Sequence, residues 1–188
     1  RHRPIASGAL PLDVAKIGVG VLVALALGIG LALDWRVSAV LGGYFGLNVA
    51  YTAQLKHVAY VDIACIALGF LLRVLAGGLA TRVAVSGWLL ACTFLLASLL
   101  ALGKRRHELL AVQSKGSGAT RAVLDRYRVH HIDWAIRGLA LITATSYTFY
   151  TISPSTVAHF GTSRLLWSVP FVIFGISRFA VLMQRHED

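Results

Sequence analysis

Lys104, Arg105 and Glu108 follow directly on the apolar run "SLLALG" (98–103). Cations neutralise phosphate oxygens, and carboxylates hold metal ions or sugar hydroxyls. Three such groups at one helix end therefore point to phosphate chemistry. A plainer reading stands beside this one. Basic residues after a membrane helix hold it at anionic lipid, and Glu108 can simply pair with Lys104 at i,i+4. In the first reading Lys104, Arg105 and Glu108 form one wall of a cavity, and Tyr51, Lys56 and Asp62 form the other. Two cationic walls with scattered carboxylates suit a phosphorylated substrate carrying Mg2+.

Two further polar stripes bear on that choice. Tyr44, Asn48 and Tyr51 recur at i, i+4 and i+7, one helix face ending near Lys56. Such residues also glue membrane helices together by hydrogen bonds, and Lys56 alone can snorkel. Asp62, Ile66, Gly69 and Arg73 form a second stripe. Arg73 lies ~16 Å along the axis from Asp62, too far to pair with it. An Arg that deep costs at least ~2.5–3.5 kcal/mol on insertion scales, so it must face a partner or a wet cavity. Arg73 and Tyr127 are candidates for the cavity lining, and Gly69, Gly77 and Gly78 for close helix packing. Arg106 is expected to meet lipid head groups, and Asp133 to pair with Arg137 at i,i+4.

The elements that must position these residues are membrane helices. Of 188 residues, 57% are hydrophobic and only 14% charged, and the mean hydropathy is +0.72. That places the chain in a bilayer. The net charge of +10 then points to anionic head groups or phosphorylated substrates, not to nucleic acid. Six apolar stretches predict spans at about 13–33, 36–56, 58–80, 86–103, 132–152 and 163–183. The polar segment 104–131 is predicted as a loop, and "SPSTVAHFGTS" as a short connection. The expectation is an all-α, polytopic transmembrane bundle forming a single integral membrane domain over 1–188.

The distribution of Lys and Arg sets the orientation. With the N-terminus inside, inner segments hold Arg1, Arg3, Lys56, seven cations from Lys104 to Arg128, and Arg185; outer loops hold Arg36, Arg82 and Arg164. The protein is thus expected to be multi-pass in the plasma membrane, with its basic loops cytoplasmic. Cys65 and Cys92 sit in apolar runs and read as buried hydrophobes. His130 and His131 are adjacent, so they point apart on a helix and have no third ligand in view.

Four phrases, in this order, carry a family resemblance: "RPIASGAL" (3–10), "NVAYTAQLKH" (48–57), "DIACIALGFLLRVLAGG" (62–78) and "LALGKRRHEL" (100–109). They resemble the UbiA-type intramembrane prenyltransferase superfamily, most closely its decaprenyl-phosphate phosphoribosyltransferase branch. The resemblance implies about nine transmembrane helices around a cavity open to cytoplasm and lipid, six of them in this chain. It implies a Mg2+-dependent transfer of phosphoribose from phosphoribosyl diphosphate to a polyprenyl (decaprenyl) phosphate, for a cell-wall arabinan precursor.

By the same resemblance, Arg1, Arg3, Asn48, Tyr51, Lys56, Lys104 and Arg105 hold phosphates. Asp62 and Glu108 are the catalytic carboxylates, orienting cations or ribose hydroxyls. The family's first motif, NDxxDxxxD, precedes "RPIASG" and is not among these residues. The principal Mg2+ ligands are therefore expected upstream of Arg1, and the chain alone is expected to be inactive. Two alternatives stand: a family member passing a prenyl group from its diphosphate to an aromatic acceptor, and a non-catalytic transporter or assembly subunit. The aromatic prenyltransferase would want a second Asp cluster where this sequence reads "GKRRHEL". A homo-oligomer is compatible with all three.

Overall fold

The computed structural model describes residues 10–58, 60–115 and 129–184. Among them the chain is helical, without strands. Pro11 caps the start of α1 (Leu12–Leu33), where its missing N–H costs nothing. Asp34 ends α1 and caps α2 (Trp35–Ala53), its Oδ1 accepting the Arg36 N–H at 2.8 Å. The two helices touch closely at Gly30, where an added Cβ would lie 2.7 Å from Ser38 Oγ. That hydroxyl donates back to the Leu27 carbonyl at 2.7 Å.

A 3-10 turn (Leu55–His57) links α2 to α3 (Val61–Thr81). The residue before α3, Tyr60, has φ 65°, a left-handed conformation uncommon for a bulky side chain. At the far end Arg82 takes a left-handed cap, and the chain doubles back over Gly78. A Cβ there would meet Val85 Cγ2 at 2.2 Å. α4 (Gly87–Lys115) is the longest helix, followed by α5 (Val129–Ile152), a short α6 (Pro154–Phe160), a 3-10 turn (Arg164–Ser168) and α7 (Val169–Gln184).

α4 is the spine of the bundle. It packs on α3 to one side and on α5 and α7 to the other, while α1 reaches α3 through α2. The buried core joins Ile63 of α3, Leu99 and Leu102 of α4, Ile132 and Ile136 of α5, and Ile176 of α7. Large apolar side chains also cover the periphery: Ile17, Leu141 and Phe171 are 68%, 70% and 78% exposed. A hydrophobic exterior around a small core is what a bilayer solvates and water does not.

Among the described residues, six long helices stand where six were expected. Four stretches are long and apolar enough to cross a membrane: Leu12–Leu33, Val61–Thr81, Gly87–Leu110 and Arg164–Met183. α2 and α5 are of similar length, but they carry polar side chains such as Asn48, His131 and Arg137.

Three boundaries differ from the sequence reading. α4 does not stop at Gly103 but runs on through the basic cluster to Lys115, taking the first part of the predicted loop with it. Arg105 and Arg106 are turned inward, so their charges do not end the helix. α2 ends at Ala53, leaving Lys56 on the 3-10 turn. In the connection after α5, Pro154 starts α6 instead of merely closing α5. Proline is preorganised for the first helical position.

Candidate active site

The polar residues converge at one end of the bundle. Tyr51 lies at the end of α2, Lys56 on the following turn, Asp62 at the start of α3, and Arg105 and Glu108 beyond the middle of α4. Arg105 is their centre. Its side chain is 4% exposed; Nε donates to Asp62 Oδ2 and Nη1 to Glu108 Oε2. Nη2 donates to the Tyr51 hydroxyl at 3.2 Å. Asp62 is fully buried, and its Oδ1 accepts the Ile63 N–H at 2.9 Å. A carboxylate in the first turn of α3 also meets the positive end of the helix dipole. Asp62 is thus favoured locally by its helix and tertiarily by Arg105.

Tyr51 connects this cluster to a cleft between α2 and α3. The cleft holds about 120 Å3 and is lined by Tyr44, Asn48, Tyr51, Cys65, Gly69 and Arg73 among others. Gly69 lets the Tyr44 ring lie against α3, with Cε2 3.6 Å from where a Cβ would stand. Arg73 donates Nε to the Tyr44 hydroxyl at 3.2 Å, and its guanidinium carbon stands 5.0 Å from the Tyr44 and Phe70 ring centroids. These contacts offset part of the cost of a deep cation. The two polar stripes therefore face one another, with Arg73 toward one end of the cleft and Tyr51 and Arg105 at the other. Asn48 lines the cleft, but its amide donates to the Tyr44 carbonyl one turn back, at 2.7 Å.

The profile of the UbiA prenyltransferase family matches residues 1–188. The chain belongs to this family. Among similar proteins, the decaprenyl-phosphate phosphoribosyltransferase of Corynebacterium glutamicum is 33% identical over 96% of this chain and 54% of its own length. Those of Mycolicibacterium smegmatis and Mycobacterium tuberculosis are 32% and 29% identical, over 76% and 96% of this chain and 45% and 59% of theirs. The chain thus spans about half the length of these relatives. The structure of a UbiA homolog from Archaeoglobus fulgidus bound to DMAPP and Mg2+ superposes with a TM-score of 0.75 over 96% of this chain and 60% of that one. The same homolog bound to Cd2+ gives 0.74 over 98% and 66%. Identity is 16% in both, so the likeness establishes the UbiA fold and nothing finer.

Within this UbiA chain, the anticipated site residues divide. Tyr51, Asp62, Arg105 and Glu108 form one bonded cluster, and Asn48 and Arg73 line the adjoining cleft. Lys56 is half-buried on the turn at the same end, and Lys104 is exposed. Arg1, Arg3 and Tyr127 lie outside the described residues.

The expectation that Arg106 meets lipid head groups is wrong. Arg106 is 2% exposed, donating Nε to Asp133 Oδ1 of α5 at 2.6 Å and Nη1 to the Met183 carbonyl of α7. That carbonyl belongs to the last turn of α7, where helical partners run out. Asp133, expected to pair with Arg137, takes Arg106 as its partner, and Arg137 stands over the Trp134 ring at 5.6 Å. A usable signal existed: two consecutive arginines at the end of an apolar run each need an acid, and Asp62 and Asp133 stand at the starts of two neighbouring helices.

The same geometry decides the fit to a divalent ion. Among the described residues no three His, Cys, Asp or Glu side chains come together. Asp62 and Glu108 each reach the Arg105 guanidinium, which lies between them. The described residues do not by themselves make a Mg2+ site.

Proposed function

We propose that the protein is a polyprenyl-phosphate phosphoribosyltransferase of the plasma membrane, serving cell-wall arabinan precursor synthesis. A phosphate oxygen of the lipid attacks the anomeric carbon of phosphoribosyl diphosphate, and a C–O bond forms. The bond from that carbon to the diphosphate oxygen breaks, its electron pair leaving with diphosphate. The lipid phosphate is already anionic near neutral pH, so the step needs no general base.

The observation that carries this reading is the meeting of Arg105, Asp62, Glu108 and Tyr51 at one end of an otherwise apolar bundle. The names of the relatives support the donor and the acceptor. In this reading Lys56, Lys104 and Arg105, with Tyr51 and Asn48, bind phosphate oxygens; Arg1 and Arg3 join them. Preorganised cations stabilise the charge that develops on a leaving diphosphate. In the same reading Glu108, 29% exposed at its side chain, accepts from a ribose hydroxyl while Asp62 holds Arg105. Mg2+ dependence belongs to the proposal, with ligands from outside the described residues. So does the orientation, with the basic end of α4 toward the cytoplasm.

The test is direct. Membranes containing the full-length protein are incubated with labelled phosphoribosyl diphosphate, polyprenyl phosphate and Mg2+. Label is expected in the lipid fraction. No lipid label, together with consumption of a prenyl diphosphate in the presence of an aromatic acceptor, would replace this reading with prenyl transfer.

A further inference from the structure

We propose that Arg105 is a resident cation, holding the place between Asp62 and Glu108 that a divalent ion would otherwise take. The two carboxylates come from different helices, α3 and α4, and converge on one guanidinium through different nitrogens, Nε and Nη1. Asp62 is fully buried and the Arg105 side chain is 4% exposed, so this half of the group is screened from water, while Glu108 is 29% exposed. Paired carboxylates in such a place demand a counter-charge. A metal ion is one solution and a guanidinium is another. The guanidinium does not lose its proton at any physiological pH, so this counter-charge is permanent.

The geometry closes the corner to metal. A Mg2+ ion needs oxygen atoms at about 2.0–2.1 Å in near-octahedral array. Here one oxygen from each carboxylate already accepts from Arg105, and among the described residues no third His, Cys, Asp or Glu side chain joins them. The guanidinium also does something a metal would not. Its contacts to Asp62, Glu108 and Tyr51 use three of its five N–H donors. Two N–H donors, one on each Nη, remain for a further acceptor. The counter-charge of the corner therefore does not depend on the local divalent concentration, and any divalent requirement of the protein is carried elsewhere. Removing the guanidinium while keeping both carboxylates should uncover a latent divalent site.

The inference rests on the cluster's geometry and not on which group is transferred. Its test reads binding without turnover, so it and the transferase reading can fail separately. Full-length protein in detergent is titrated with Mn2+, and bound ion is counted by EPR. Wild type, Glu108→Gln and Arg105→Lys are expected to bind the same number of ions. Arg105→Ala is expected to bind one more, and Arg105→Ala with Asp62→Asn to lose it again. Two outcomes overturn the proposal: a bound ion lost on Glu108→Gln alone, or no ion gained by an Arg105→Ala protein that keeps its helical circular dichroism. Should Arg105→Ala not fold, Arg105→Gln, neutral and closer in size, takes its place: one extra ion is expected, and none gained overturns the proposal.

Discussion

Arg105 and Arg106 are consecutive, yet their guanidinium groups enter opposite halves of the bundle. Arg105 reaches Asp62 of α3 and Tyr51 of α2, whereas Arg106 reaches Asp133 of α5 and the Met183 carbonyl of α7. Successive helical side chains diverge by about 100°, so α4 can hold both partners only in one rotational setting.

Arg106→Gln is expected to destabilise the protein. It leaves Asp133 uncompensated and the Met183 carbonyl without its donor. Breaking a buried pair costs about 3–5 kcal/mol; the 20% exposure of Asp133 places this case toward the lower figure. Thermal unfolding in detergent should show it. Lys104→Gln is the contrast: exposed, it should leave the melting temperature unchanged while lowering kcat/KM in the transferase assay. Equal effects of the two changes on stability would refute the inward placement of Arg106.

Asp62→Asn should be more damaging than Glu108→Gln. Both weaken a charge-assisted bond to Arg105, but Asp62 is fully buried while Glu108 is partly open. Leaving a buried charged group undersatisfied costs about 1–3 kcal/mol or more, and water can repair part of that only at Glu108. Melting temperatures of the two variants, measured side by side, check the order.

Gly103→Ala tests the approach of α4 and α7. A Cβ at this position would lie 2.6 Å from Phe179 Cζ and 3.2 Å from Met183 Sδ. Overpacking of this kind typically costs about 1–3 kcal/mol. Phe179→Leu in the same chain should recover much of the loss, since the clash is with the tip of the ring.

Topology is checked chemically. In a background lacking Cys65 and Cys92, single cysteines at Ser117 and Ser155 should react with an impermeant reagent from opposite sides of intact vesicles. Labelling from the same side would sink the assignment of the basic segment to the cytoplasm.

Much of this architecture was legible in the sequence because an apolar run of about 20 residues matches the thickness of a bilayer and little else. The stripes Tyr44–Asn48–Tyr51 and Asp62–Gly69–Arg73 were also legible, since helical periodicity alone assigns a face. Their mutual contact through Arg73 and Tyr44 was not, because periodicity is silent on which helix stands opposite. The end of α4 was misplaced for a related reason. A cation turned inward against an acid looks, in one dimension, the same as a cation in water, so "KRRHE" read as the start of a loop. The pairing of Arg106 with Asp133 spans 27 positions and needs the packing of α4 on α5 to be seen.

The length of α4 has a kinetic consequence. Its 29 residues extend ~43 Å at 1.5 Å per residue, more than the ~30 Å of hydrocarbon in a bilayer. Arg105 stands ~27 Å from Gly87 along that axis; with Gly87 at one edge of the hydrocarbon, Arg105 would lie just inside the other. The head-group layer begins only a few ångströms beyond. Under the proposed function, a lipid phosphate would then need little vertical displacement to meet the Arg105 cluster, and its encounter would be a two-dimensional search by lateral diffusion.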